Sequence, residues 1–468
     1  MSGAKWDAIV VGARCAGAAT AAYLSRAGVR TLCIDRAKLP SDYVLSTHFV
    51  QPPGMDVLDE LGVGDRVRDV TPPSFRPLSA MDDERLYSNY PDGRAAYCIR
   101  RSTLDPIVLD AAVESGATVR DQHTVVELVE DGERVTGVVL DTPSGRETVL
   151  ADIVIGADGK ESTVAKLTGV ERYEHFVLDR GGYWGYFPTP AVWHDRERYD
   201  CDGIIAFEGD GLRYVFQCDG DLLLIAGVPP AAEARSWRGD HRAKLLDYLA
   251  ASDLISPLVR ETEPVGKLIG LMKYESFLRR PVGPGFALVG DAGAVMDFVT
   301  GQGIAQALLN AKTLAEAVVQ GGERAFERYH RQRDADIMPL FLDAKRLGTV
   351  GINSPVMRLI FREASKQGDL DSFAEIMDRR RSPFDFVPQK SLFYWMLQEM
   401  ARLRFEAVGS FLEVGKTMSA HRKLCAEYAA RADEVEQRCT DLPPWPLDAM
   451  GGLAGGPARA DTAVSMEA

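Results

Sequence analysis

Cysteine is scarce and scattered. The chain holds seven, at Cys15, Cys33, Cys98, Cys201, Cys218, Cys425 and Cys439, with no C-x-x-C pair. That pattern argues against a disulfide framework or a zinc site and fits reduced thiols in a cytosolic protein. Positive charge is also short: 54 Lys and Arg stand against 68 Asp and Glu, a formal net charge of -14. Without a basic face, nucleic acid is excluded as a partner. No run approaches the roughly 18 apolar residues needed to cross a bilayer, so stable membrane insertion is not expected. The N-terminus lacks a basic stretch followed by an apolar run and a cleavage site, so no secretory signal is expected and the location reads as cytoplasmic. What is present is ordinary for a globular protein, 46% hydrophobic and 26% charged residues. A length of 468 residues exceeds one compact core and predicts two or three subdomains. No internal repeat is visible.

The first chemistry-bearing stretch is "VVGARCAGAATA", residues 10–21. "WDAIVVGA" reads as a buried parallel strand ending in glycine. The alanine-rich "AGAATAAYLSRAG" reads as a helix stopped by Gly28, and "VRTLCIDR" as a second strand ending at Asp35. Strand, glycine turn, helix, strand and acid within about 30 residues is the dinucleotide-binding pattern. Gly12 suits the tight turn, Gly17 suits close packing of helix on strand, and Asp35 stands where a carboxylate meets ribose hydroxyls. Arg14 occupies the usual middle-glycine position.

Two more strand-turn-helix segments follow. "ADIVIGADGKESTVAKLTG", residues 151–169, carries Asp158 and Gly159 in its turn and Ser162 near the helix start. "GPGFALVGDAGAVMDFVTGQGIAQALLNAKTLAEAV", residues 283–318, places Asp291 after a strand and "TGQGI" before a long amphipathic helix. Free amides and the positive end of such a helix suit a ring edge that becomes anionic on reduction.

In this order and spacing, "GARCAG", the "DG" near residue 158, and "GDAG" followed by "GQGI" resemble the group A FAD-dependent monooxygenases of the p-hydroxybenzoate-hydroxylase fold. The arginine in the first loop, "LSTHFVQPPGMDVLDELGV" and "RRSTLD" resemble a sub-branch shared with geranylgeranyl-reductase-like flavoproteins. The likeness covers roughly residues 5–335 at motif level, and "RRRSPFDFVPQKSLFYW" is similar to an extension of the same relatives. It implies an α/β fold: a Rossmann-like FAD-binding domain, an inserted antiparallel β-sheet substrate domain and a helical C-terminal region. The expected division is FAD-binding at 5–70, 96–170 and 281–335, substrate-binding at 71–95 and 171–280, helices over 336–440, and a disordered tail over 441–468, where Pro, Gly and Ala dominate.

By that resemblance FAD lies on Gly12, Ala13, Arg14, Cys15, Ala16 and Gly17, with Asp35 on the ribose and Arg36 and the Val125 backbone at the adenine. Arg101 and Asp291 face the phosphate or ribityl chain, Asp158 and Gly159 serve FAD and passing NAD(P)H, and the amides of Gly301, Gln302, Gly303 and Ile304 face the isoalloxazine. NADPH or NADH is the implied reductant, bound without a domain of its own. One departure is Asp297-Phe298, where relatives commonly carry proline after the aspartate; loss of a fixed φ changes that loop, and an aromatic there can line the substrate pocket.

Between the second and third motifs, aromatic and β-branched runs broken by "GDG" and "CDGD" predict hairpins of an antiparallel sheet with one helix, "HRAKLLDYLAASD". Trp184 and Tyr186 on such a strand, with Phe298, are the candidate pocket residues, and core packing explains the two strand aromatics equally well. His48 is the candidate catalytic residue, weighed against a structural histidine. Arg279-Arg280 and Arg379–Arg381 read as solvated surface, and Cys15 as a small buried residue. No metal site is expected.

The resemblance implies an oxygenase that uses dioxygen and a flavin 4a-hydroperoxide to hydroxylate or epoxidise a small organic substrate, aromatic or polyketide-like. A prenyl-chain reductase or dehydrogenase is the alternative. A halogenase is the third reading, and no lysine lies between Lys38 and Lys160, where relatives of that type place one. Three cofactor motifs argue against a non-catalytic protein. The helical C-terminal region leaves a homodimer open.

Overall fold

The computed structural model describes residues 5–41, 48–178, 180–272, 274–350, 354–366, 371–386, 389–401 and 405–442. The expected tail, apart from Asp441 and Leu442, lies outside these residues, as do Leu45, Ser46 and Thr47 before His48.

Trp6–Val11, Thr31–Ile34, Thr118–Arg120, Gly145–Gly156 and Phe286–Leu288 form a parallel sheet with Trp6–Val11 at its centre. Ile9 pairs with Leu32 on one side and Val154 on the other. These strands read as continuous apolar runs because helices or a further β-layer cover both faces. Gly145–Gly156 serves two layers. Its first half pairs antiparallel with Arg134–Thr142 and is largely exposed, while its last four residues are all buried in the parallel sheet. The helices Cys15–Arg26, Arg101–Glu114 and Gly303–Gln320 pack together against the sheet. Cys15–Arg26 is alanine-rich because it is enclosed on nearly every side: Gly17 through Leu24 are all buried. It ends where expected, with Gly28 in the left-handed region at φ +82°.

A second sheet of seven strands runs in the order Val265–Met272, Gly181–Pro188, Leu222–Val228, Gly211–Cys218, Gly203–Glu208, Leu78–Met81, Glu84–Tyr87. Its pairs are antiparallel except Gly203–Glu208 with Leu78–Met81. The alternation of a strand divides its side chains between two cores. Tyr183, Phe187, Val215 and Ile225 join an outer core. Trp184, Tyr186, Tyr214, Phe216 and Leu224 join an inner one with Ile337, Phe341 and Phe384. Three short helices cover the outer face, Ala231–Ser236, His241–Ala250 and Ser256–Val259. The expectation of one helix captured the central member; the other two are too short for a periodic signal. The C-terminal part is helical, including Gly322–Val350, Pro355–Ser365 and Phe405–Arg438.

A buried ionic lock joins these parts. Arg333 is 1% exposed and donates to the carbonyls of Gly293 and Arg279, to the Tyr173 hydroxyl and to Asp334. Tyr173 in turn donates to Asp334 Oδ2 at 2.6 Å. Arg279 is also buried, correcting the solvated reading; it donates to the carbonyls of Ala292 and Lys160. Paired arginines look solvated in a sequence because the carbonyls that satisfy them come from distant segments. Burial alone would push the Asp334 carboxyl up, but Arg333, His330 and Tyr173 hold it down to about 2. With the folded pKa depressed, its contribution to stability is present above the unfolded value near 3.8 and is lost as pH falls toward 2. Asp334→Asn therefore destabilises the fold by about 3–5 kcal/mol at neutral pH, because it strands the Arg333 charge. Urea unfolding of both proteins at pH 7 and below pH 4 should show that difference shrinking in acid.

Candidate functional site

The turn after Trp6–Val11 is set by two glycines. Gly12 has φ +104°, and a Cβ there would lie 2.5 Å from the Ala157 carbonyl. A Cβ on Gly17 would lie 1.8 Å from the Gly12 carbonyl. Only hydrogen fits at either position, so the helix starts in contact with the strand end and its first free amides face outward. Arg14 sits just before the helix with extended backbone, and its guanidinium reaches Ser41 Oγ at 3.3 Å. The arginine thus replaces glycine without disturbing the turn. Asp35, 8% exposed, receives the Ala13 amide at 2.9 Å and the Ala37 amide at 2.8 Å. Those two bonds fix its carboxylate at the end of the second strand.

This turn opens onto a cleft of about 530 Å³, within the range of small-molecule and cofactor sites. Of the candidate residues, Gly12, Arg14, Cys15, Ala16, Asp35, Arg36, Arg101, Val125, Asp158, Gly159, Trp184, Asp291, Phe298, Gly303 and Ile304 line it. Ala13, Gly17, His48, Tyr186, Gly301 and Gln302 stand behind the lining. The Ala13 amide is taken by Asp35, and Gln302 turns its side chain toward the C-terminal region, donating to the Met377 carbonyl at 2.8 Å. Gly301 takes φ +60° and brings the chain into Gly303–Gln320, whose N-terminus meets the cleft.

Charge along the cleft is arranged in pairs. Arg101 binds Asp105 at 2.6 Å, and Cys15 Sγ donates to the same carboxylate oxygen at 3.1 Å. Burial pushes the Cys15 thiol well above its ordinary range, so it remains a protonated packing residue. Asp291 presents its carboxylate to the cleft. The surrounding protein raises its pKa, against the pull of Arg101 and Lys160. Asp158 caps the short helix Thr163–Leu167, accepting from Ser162 Oγ at 2.5 Å and the Thr163 amide at 2.6 Å, and burial raises its pKa too.

The other end of the cleft is lined by Trp184 and Leu271 of the seven-stranded sheet with Met296, Phe298 and Tyr274, and by the charged residues Lys160 and Asp297. Asp297 caps the turn before Gly301, accepting the Val299 amide at 2.9 Å, and Phe298 packs its ring on Gly182. The turn that proline would stiffen is thus held by the Asp297 side chain. Lys160, Leu271, Tyr274 and Met296 were not among the sequence candidates. Lys160, whose Nζ lies 4.3 Å from the Tyr274 ring centroid, follows the second motif directly and was within reach of the pattern; the others come from tertiary packing alone.

His48 is fully buried with φ +64°. Its Nε2 meets the Tyr186 hydroxyl at 2.5 Å, and its carbonyl accepts from Ile99. It joins its own segment to the seven-stranded sheet from behind the cleft. Arg379 also departs from the solvated reading. It has φ +58°, donates to Gln302 Oε1 at 3.1 Å, and burial pushes its pKa down to about 10.

Residues 5–182 match the family described as FAD binding domain. Among curated relatives, digeranylgeranylglycerophospholipid reductase 2 of Methanopyrus kandleri is 26% identical over 80% of this chain and 91% of its own. 4-Methyl-5-nitrocatechol 5-monooxygenase of a Burkholderia species is 27% identical over 44% of this chain and 38% of its own. Among solved structures, p-nitrophenol 4-monooxygenase from Pseudomonas putida superposes with a TM-score of 0.68 at 18% identity, over 80% of this chain and 96% of that one. A myxobacterial chondrochloren halogenase does so at 0.63 and 22%, over 73% and 83%. The fold and cleft thus define an FAD-binding oxidoreductase. Residues 5–182 carry an FAD binding domain, and the chain shares its fold, over most of its length, with flavoprotein monooxygenases such as the p-nitrophenol enzyme.

The glycine contact is open to test. Gly17→Ala drives a methyl group into the Gly12 carbonyl and should cost about 1–3 kcal/mol of stability. It should also lower the FAD content of the purified protein. Thermal denaturation and absorbance at the flavin band read both, with Gly28→Ala, which meets nothing within 4 Å, as the comparison for a glycine with positive φ.

Proposed function

We propose that this chain is an FAD-dependent, NAD(P)H-using monooxygenase that inserts one oxygen atom from dioxygen into a small aromatic or polyketide-like substrate. The observation that carries the reading is the shape of the cleft. One continuous space runs from the Gly12 turn and Asp35 to a chamber lined by Trp184, Phe298 and Met296 with Lys160 and Asp297. A dinucleotide cradle that opens into a chamber lined by aromatic rings suits a substrate held beside a cofactor ring and screened from water, as oxygen transfer needs.

The residues fit FAD in a consistent order. The amides at the start of Cys15–Arg26 and the Arg14 guanidinium suit the pyrophosphate. Asp35, held by two backbone amides, has lone pairs left for ribose hydroxyls, with Arg36 and Val125 at the adenine end. Arg101 and Asp291 suit the ribityl and phosphate side, with Asp158 and Gly159 nearby. The amides at the start of Gly303–Gln320 suit the ring's electron-rich edge, and Gly301 and Gln302 set their direction. FAD supplies the redox and oxygen chemistry when bound; the chain orients it, encloses the substrate and screens the chamber. His48 acts as a positioning residue, holding Tyr186 and through it the roof strand. The small molecule and dioxygen are the partners of this reading, in the cytoplasm, with NADPH or NADH as reductant.

The second reading is a prenyl-chain reductase or dehydrogenase. It draws on the similarity to the Methanopyrus reductase over most of both chains. A stopped-flow experiment separates the two. Holoenzyme is reduced anaerobically with NADPH or NADH and mixed with oxygenated buffer. The monooxygenase reading expects a transient absorbance distinct from oxidised and reduced flavin. Direct return to the oxidised spectrum, with the full panel of phenols and polyketide-like aromatics present, favours the reductase. Asp291→Ala removes a charged acceptor from the cleft, worth about 1.5–3 kcal/mol. FAD affinity should fall about 10- to 100-fold by fluorescence titration.

A further inference from the structure

The run Arg379–Arg381 divides its charges unequally. Arg380 pairs with Asp92 at 2.6 Å and with Asp378 at 2.8 Å, and Arg381 pairs with Glu375 at 3.1 Å. Asp378 is shared with Arg94 at 2.9 Å. Arg379 turns inward instead. Its Nε donates to Gln302 Oε1 at 3.1 Å, and its Nη2 is buried without a hydrogen-bond partner. Asp336 of Gly322–Val350 draws on it electrostatically, but the two form no ion pair. Arg379 also takes φ +58°. Backbone strain and an unpaired, partly buried cation thus meet in one residue. Each costs free energy, and such costs collect where function needs them.

Gln302 carries the influence of this arginine to the cleft. It is fully buried, with Oε1 held by Arg379 and Nε2 donating to the Met377 carbonyl at 2.8 Å. It stands directly before Gly303–Gln320, whose first residues, Gly303 and Ile304, line the cleft. That helix start already offers free amides and a partial positive charge. A whole guanidinium charge behind it adds to the same potential, inside protein where screening is weak.

We propose that Arg379 is a positioning residue whose charge, set behind the start of Gly303–Gln320 through Gln302, favours the reduced, anionic flavin over the oxidised one. This rests on the placement of the FAD ring at that helix start, and it holds for the monooxygenase and the reductase readings alike.

The test measures the midpoint potential of bound FAD at neutral pH, during slow anaerobic reduction beside a reference dye. In Arg379→Met the preference for reduced over oxidised flavin should fall about tenfold, a potential about 30 mV below the wild type. Arg379→Lys should stay near the wild type, because it keeps the charge. Asp336→Asn should move the potential upward, because it removes the carboxylate that opposes Arg379. A purely structural role would not give shifts of opposite sign. An unchanged potential in Arg379→Met, or equal falls in Arg379→Met and Arg379→Lys, overturns the proposal. If Arg379→Met does not keep its flavin, Asp336→Asn decides, and a potential that stays or falls there overturns it. Wild-type protein that takes up no flavin would remove the FAD placement and the proposal together. The expected shifts with no transient in the oxygen reaction would leave the proposal standing and remove the monooxygenase reading alone.

Discussion

The architecture depends on how closely one helix approaches one strand. Gly17 rests on the Gly12 carbonyl with no room for a methyl group, and Gly12 passes under Ala157 just as tightly. Because that approach is so short, Ala18, Ala19, Ala21 and Ala22 follow as the small residues that let Arg101–Glu114 and Gly303–Gln320 close around the same helix. The free amides of the helix start, the placement of Asp35 and the mouth of the cleft all descend from it. Arg14 is tolerated in the middle of the motif because its extended backbone directs the side chain along the cleft rather than into the turn.

Local pattern made the cradle legible. Apolar runs ending in glycine marked the central strands, and glycine at the helix starts marked the turns, because both features are dictated by contacts within a few residues. Alternation placed Trp184 on a strand but left its face undecided. The structure sends Trp184 to the cleft and keeps Tyr186 behind it on His48. Leu271 owes its position to a sheet whose neighbouring strands lie tens of residues apart, so no short window points to it. The arginines failed for a related reason. A guanidinium is satisfied by whatever carbonyls converge on it, and for Arg279 these belong to Ala292 and Lys160.

The loop from Asp297 to Gln302 shows how one constraint substitutes for another. With no proline to fix this backbone, the Asp297 carboxylate holds the turn and the Phe298 ring takes up the space above Gly182. Gln302 then ties the loop to Met377 and Arg379, so the C-terminal helical region reaches the cradle directly. The cleft is lined by residues from Val11 to Ala307, and through Gln302 its shape responds to the segment around Met377 and Arg379, far from the motifs that announce it.

The parallel sheet is also assembled out of chain order. Gly145–Gly156 gains its outer partner, Phe286–Leu288, only after the whole seven-stranded sheet has been made. On the ribosome, residues 5–182 emerge with an unpaired strand edge and without Gly303–Gln320, the helix that closes the cleft. The nascent chain must therefore hold an apolar edge in waiting through about a hundred residues of translation. The cleft is complete only when Gly303–Gln320 arrives, so filling it is a late step in biogenesis rather than a template for the first domain.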